Sequence, residues 1–415
     1  MKFMRMFLSG EFLFAVYLFS STIKLAFNDI LPAFVDLTAI FLLLSLLAGL
    51  KKSIYEGIPK RVIFPSGLYA AICLIMLVSI FYSTSENYAI TKVIEFIVLT
   101  GWSFIGGFFL VRDHQSLRQF LKYLLFIAVG VSLYVLWSYF NSPNLDVGRV
   151  GVAGGSVLGL AKITGMGSII ILLLYYYGRS SKKEKVFSAF ALGIMGFVLL
   201  LTGSRMALIA LGFTVLLVFI LSLDFTQKDI KIKKRVLKLL PLIPLAGIAG
   251  FVLYRNGTID TLLIRIGYLF NQQSNSNSVS GRLERYQVAW DMFSNSPLMG
   301  NGIGSFAIEY TGIDQRNYPH NIFLEFMSEM GTVGFILFLV LLLSSFLAIF
   351  RMVWIRKITP EKLCVILLLV FQLINVNTTG DFNDNRIFFA LLGLTLTISS
   401  IKVQGSNLVK QVKVA

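Results

Sequence analysis

The chain has 415 residues, 56% of them hydrophobic and 14% charged, with a mean hydropathy of +0.78. A soluble domain carries nearer a quarter charged residues, so the composition excludes an ordinary soluble enzyme, and the alternation over about ten residues that marks an outer-membrane barrel is absent. The net charge of +16 comes from 37 basic and 21 acidic residues; spread through short loops, such a surplus is what the positive-inside rule produces, rather than a nucleic-acid footprint.

In chain order, apolar runs long enough to cross a bilayer, which takes about 20 residues each, lie near 10–27, 31–50, 63–82, 91–111, 119–140, 157–178, 186–202, 206–223, 236–254, 319–350, 362–378 and 386–402. The expected fold is therefore all-α, a polytopic membrane protein of about twelve spans. Alternate connections hold most of the basic residues, among them Lys51, Lys52, Lys60, Arg61, Arg112, Arg118, Arg179, Lys182, Lys183, Lys185, Lys228, Lys231, Lys233, Lys234, Arg235, Arg351, Arg356 and Lys357. This places both termini in the cytoplasm. The expected organisation is 1–254 as N-terminal spans, 255–318 as one large extracytoplasmic loop, 319–402 as C-terminal spans and 403–415 as a cytoplasmic tail.

Segment 255–318 holds five arginines and no lysine. Bulk attraction to anionic lipid would use either residue, whereas planar, bidentate binding of phosphate or carboxylate prefers arginine. Within it, 271–280 reads as a flexible polar linker, and 281–294 as an amphipathic helix able to rest Leu283, Tyr286, Val288, Trp290 and Phe293 on a membrane surface. Asn295, Ser296 and Pro297 stop that helix, and Gly300, Gly302 and Gly304 allow a tight turn or a close approach to a ligand.

Several residues could carry chemistry. His320 follows Pro319, a residue suited to the first position of a helix; there the dipole favours a neutral ring that can take a proton from a hydroxyl. The plainer alternative is an interfacial histidine that only hydrogen-bonds. Arg282 and Arg285 share a helical face and could grip a diphosphate, Arg282 more so beside Gly281 at the helix start, where free N–H groups favour anions; Arg285 reads as well as part of a solvated face. Arg205, in a short outer connection, runs against the positive-inside rule and is either a phosphate clamp or a snorkelling side chain. Asp381, Asp384 and Arg386 lie in the last outer loop, where a carboxylate could orient a histidine or arginine or bind sugar hydroxyls, or ordinary solvation could suffice. Glu325 and Glu329 fall near or just inside the membrane surface, where a carboxylate is costly unless paired. Arg316, Tyr318 and Asn321 complete the candidate substrate-binding set, with Arg149, Lys162 and Arg265 as further outer-side cations. No phosphate-binding glycine loop, zinc-protease signature or nucleophile elbow is present, so no metal or other cofactor is expected.

Three stretches then resemble a family: Leu201-Thr202-Gly203-Ser204-Arg205 ahead of an apolar helix; Gly281-Arg282 through Trp290 to Ser296-Pro297-Leu298-Met299-Gly300-Asn301-Gly302-Ile303-Gly304; and Pro319-His320-Asn321-Ile322-Phe323-Leu324-Glu325 through Glu329 to Phe335. Together they resemble the bacterial O-antigen ligase and polymerase superfamily, most densely over 186–345. Met206 departs from the glycine common there, but the arginine is kept. The resemblance implies a metal-independent glycosyltransferase of the bacterial cell membrane, with an undecaprenyl-diphosphate-linked glycan as donor and a glycan or lipid-linked acceptor. It implies that Arg205 and Arg282 hold the diphosphate and that His320 activates the acceptor hydroxyl. Attack opposite the diphosphate would invert the anomeric centre. The first reading is a polymerase of oligosaccharide repeat units, working beside a flippase and a chain-length regulator; the second is a ligase moving a finished chain to lipid A core or another acceptor. A third, a transporter or flippase, would place ionisable groups at mid-membrane or show repeated halves, and the sequence shows neither.

Overall fold

The computed structural model describes residues 8–26, 32, 35–141, 157–178, 180–221, 223–225, 230–232, 255, 277–355 and 358–401. In hydrocarbon a backbone must satisfy its own hydrogen bonds, so leucine-, isoleucine- and phenylalanine-rich runs form helices. They are α1 Gly10–Ala26, α2 Leu37–Glu56, α3 Lys60–Tyr82, α4 Tyr88–Leu110, α5 His114–Asn141, α6 Val157–Tyr177, α7 Lys182–Leu201, α8 Arg205–Ile220, α9 Asn277–Asn295, α10 Ser305–Thr311, α11 Ile322–Trp354, α12 Pro360–Val376 and α13 Arg386–Ser399. Seven of these (α2 to α7 and α11) are long and apolar enough to cross a membrane, and α8 and α13 are shorter apolar helices.

Every predicted span coincides with a helix except 236–254, which lies outside the described residues. The second is displaced: α2 starts at Leu37 because the Asp36 side chain caps it, accepting from Thr38 N at 2.9 Å, and it continues through Lys51 and Lys52 to Gly57. A capping box between Ser181 and Glu184 likewise starts α7 before its apolar run. The all-α expectation also missed a short antiparallel pair, Leu223–Phe225 with Ile230–Ile232.

The helices pack around an aromatic core in which Tyr69 stacks between Phe96 and Phe104, and Phe326 on Phe338. α4 lies against α13, α8 against α12, and α9 and α3 against α11. Basic loops gather at one end: Arg112 donates to Gly57 O at 2.8 Å, Lys362 to Ile401 O at 2.6 Å, and His114 meets Glu361 at 3.3 Å. The other end collects 83–88, 202–205, 277–321 and 377–386, as the alternating charge pattern requires.

At that second end α11 is broken at Gly331, whose φ of 60° no side-chain-bearing residue adopts readily. The stretch Pro297–Gly302 fills the break. Asn301 N donates to Ser328 O at 3.0 Å and Gly302 N to Glu329 O at 3.0 Å, while Thr332 N and Val333 N donate to Pro297 O and Leu298 O at 2.8 and 3.2 Å. Backbone groups that a kink would leave without partners are thereby satisfied, each otherwise costing several kcal/mol in hydrocarbon. Gly300, Gly302 and Gly304 make the tight turn expected of them, with φ of 72°, 89° and 80°, and their close approach is to backbone: a Cβ on Gly300 would lie 2.5 Å from Gly331 N, and one on Gly302 2.5 Å from Ser83 Cα. Gly331→Ala, whose Cβ would meet Leu298 O at 2.4 Å, is expected to reduce sharply the monodisperse protein recovered in detergent. Gly212→Ala, with nothing within 4 Å, serves as the silent control.

Candidate active site

His320 lies just ahead of α11, and its φ of 62° makes it the one non-glycine residue with positive φ among those described. Pro319 is not the first helical residue as expected. Asn321 is the N-cap, its Oδ1 accepting from Phe323 N and Leu324 N at 3.0 and 3.2 Å, and the chain turns through His320 to reach it. The Tyr318 ring meets the imidazole edge-on at 4.6 Å, and Nδ1 is buried with no hydrogen-bond partner among the described residues. Burial, then the charges of Arg285 and Arg282, lower the His320 pKa to about 4, against a smaller opposing effect of Asp381. The neutral ring expected from the helix dipole is thus set by desolvation and two guanidinium groups.

Arg205 is the first residue of α8, entered through Thr202, Gly203 and Ser204. Arg282 is half-buried in α9; burial first, then the charge of Arg205, lower its pKa, so Arg205 acts on it although the two are far apart in sequence. The helix begins at Asn277, so Arg282 lies in its second turn and the free N–H groups invoked for it belong to earlier residues; residues 277–280 of the predicted linker are helical, and the rest lie outside the described residues. Tyr286, one turn on, donates from its hydroxyl to Asn377 O at 2.9 Å, and Asn321 and Arg282 partly offset the rise in its pKa caused by burial. Of the apolar face expected for this helix, Leu283 and Trp290 are exposed, while Tyr286, Val288 and Phe293 are half-buried.

Arg285 is engaged within the protein, donating to Asn317 Oδ1 and to Tyr318 O with its guanidinium over the Tyr310 ring at 4.4 Å. It is therefore not the solvated residue of one expectation. Arg316 is paired as well, with Asp381 at 3.1 Å and Asp384 at 2.6 Å. Asp381 is 1% exposed, which replaces loop solvation with a built ion pair. Burial would raise its pKa, but Arg316, Lys92 and the Asp384 N–H outweigh this and hold it low. Its Oδ2 accepts from Tyr88 OH at 3.2 Å, and Asp384 accepts a long bond from Tyr318 OH at 3.4 Å. Arg386 is drawn into the bundle over the Tyr17 ring at 5.7 Å.

Glu325 and Glu329 are fully buried and both meet Lys92, at 2.7 Å each. The expectation that such carboxylates need a partner holds, but the partner was missed, as were Tyr88 and Tyr286. A lysine at the start of run 91–111, at the end where lysine is scarce, was the available signal for Lys92. Lys162 is similarly buried, donating to Asn385 Oδ1 at 3.0 Å. Arg149 and Arg265 lie outside the described residues.

The arrangement brings a neutral imidazole beside two half-buried arginines at one end of the bundle, a setting suited to binding an anion and accepting a proton. No curated protein matches the chain. Residues 190–339 match the family described as O-antigen ligase, a stretch that contains Arg205, Arg282 and His320. This match supports placing the 190–339 domain in the O-antigen ligase and polymerase superfamily.

Proposed function

We propose that the protein is a membrane glycosyltransferase that joins undecaprenyl-diphosphate-linked oligosaccharide repeat units into a surface polysaccharide at the outer face of the bacterial cell membrane. The observation that carries this reading is a half-buried Arg282, from a separate part of the chain, whose charge helps to hold His320 neutral, while the charge of Arg205 acts in turn on Arg282. Arg205 and Arg282 neutralise the departing lipid diphosphate; fixed cations in a low-dielectric site stabilise such developing charge without reorganising. His320 takes the proton of the acceptor hydroxyl as its oxygen bonds to the anomeric carbon, and the electron pair of the broken bond leaves with the diphosphate. Attack from the opposite face inverts the anomeric centre. Arg285 and Arg316 are assigned to holding the segment that carries His320, since both are already paired. On this reading 255–318 is an extracytoplasmic unit between two sets of spans, both termini are cytoplasmic, and a flippase and chain-length regulator act alongside.

The test is reconstitution with a synthetic lipid-diphosphate oligosaccharide and sizing of the products. Growth by whole repeat units is expected; an intact donor after prolonged incubation with acceptor would sink the reading. The description of the matched family favours a second version, a ligase passing finished glycan to lipid A core or another acceptor. A deletion strain separates the two: single-repeat glycans remain if a polymerase is lost, long carrier-linked chains if a ligase is lost.

A further inference from the structure

Lys92 is fully buried at the start of α4, within 2.7 Å of both Glu325 and Glu329, and its Nζ lies 4.7 Å from the centre of the Phe382 ring. Its backbone carbonyl accepts from Asn383 Nδ2 at 3.1 Å. One residue thus fastens three segments: α4, the first two turns of α11, and the 377–385 loop. Two of these bear on His320. Glu325 sits in the first turn of α11, immediately after the Asn321 cap. The loop places Asp381, which holds Arg316 at 3.1 Å ahead of Tyr318 and His320. A non-glycine residue at φ 62° carries backbone strain and persists only where its surroundings over-determine it.

We propose that Lys92, through Glu325 and Glu329, is the positioning residue that holds His320 in its left-handed conformation beside Arg282. The proposal rests on the reading of His320 as the acceptor base. The buried cluster also lacks a simpler reason to exist, since apolar side chains of similar volume commonly stabilise a fold as well as a buried ion pair does. Breaking such a pair by removing one partner leaves an uncompensated buried charge, so Lys92→Met alone is a poor probe. The informative variant is Lys92→Met with Glu325→Gln and Glu329→Gln, which is apolar or neutral throughout. Glu325→Gln alone, which keeps the Lys92 to Glu329 contact, is the second.

The full-length protein in detergent, carrying His114→Gln so that one labelled histidine remains, gives two readouts. The first is the titration midpoint of the His320 ring by NMR. Burial, then Arg285, Arg282 and Asp381, set the titration of that ring and none of these residues is substituted, so a change after the triple substitution reports that the ring has lost its buried place beside them. The midpoint is expected to rise from about 4 toward the ordinary 6.5. The second is transfer kinetics, with kcat reduced by about 10- to 100-fold, the scale of a small misplacement of a reacting group, and donor KM within about twofold. An unmoved midpoint with full kcat in either folded variant overturns the proposal. A raised midpoint with full kcat supports the placement by Lys92 and overturns the assignment of His320 as base.

Discussion

Replacing His320 by asparagine, a residue that tolerates the left-handed backbone of that position, is expected to lower transfer turnover by about 10²- to 10⁴-fold with membrane insertion unchanged. The effect is large because the ring is the group assigned to accept the proton, and asparagine keeps the turn while removing the base. The pH profile gives a second signature. Burial and the arginines lower the His320 pKa to about 4, so kcat/KM for the unloaded enzyme should be flat from neutral pH downward and fall only near pH 4 as the ring takes up a proton. Stability moves in the same direction. In the unfolded chain the ring titrates near the ordinary 6.5, so between 6.5 and about 4 the unfolded state binds more protons and stability falls as the pH is lowered. Full turnover by His320→Asn, or an acid limb that survives in it unchanged, would remove the ring from the chemistry.

Loss of Arg282 or of Arg205 is expected to reduce kcat by about 10²- to 10³-fold each, the scale seen when one fixed electrostatic partner of a developing charge is removed. Lysine should restore little at either position, because a point charge cannot match the forked contact of a guanidinium with a diphosphate. Arg282→Ala should in addition move the acid limb of kcat/KM upward, since Arg282 is one of the charges that depress His320, whereas Arg205 does not act on the ring to that extent. Kinetics of the two alanine variants over pH 3 to 8 make the check. Equal profiles with unchanged kcat would show that neither arginine meets the leaving group.

Much of this arrangement was legible in the sequence, for identifiable reasons. Arg205 stands out because a basic residue at the lysine-poor end contradicts the charge pattern, and Arg282 and His320 because they lie within and just after a polar stretch inside an otherwise apolar chain. In the folded chain the charge of Arg205 acts on Arg282, and that of Arg282 on His320. The helices were legible because length and hydropathy are sufficient where no water is available to the backbone. What was hidden depends on contacts between distant segments. Gly331 looks like an ordinary glycine in an apolar run, and only the docking of Pro297–Gly302 shows that the helix is broken there. Lys92 was absorbed into a predicted span because run length counts residues and ignores a single charge, while its partners Glu325 and Glu329 arrive from the far end of the chain. Asp381 looks solvated until Arg316 and Tyr88 close over it. α10, at seven residues, is too short to leave a periodic signal.

The proximity of His320 to Arg282 and Arg285 has a kinetic consequence. A proton acceptor with so low an affinity is idle in the empty enzyme. The cations that keep it idle include the one assigned to the donor's diphosphate, so loading the donor cancels part of their field and raises the basicity of the imidazole at the moment it is needed. Turnover should then follow an ordered sequence, lipid-linked sugar before acceptor, and the acid limb of kcat should lie at higher pH than that of kcat/KM.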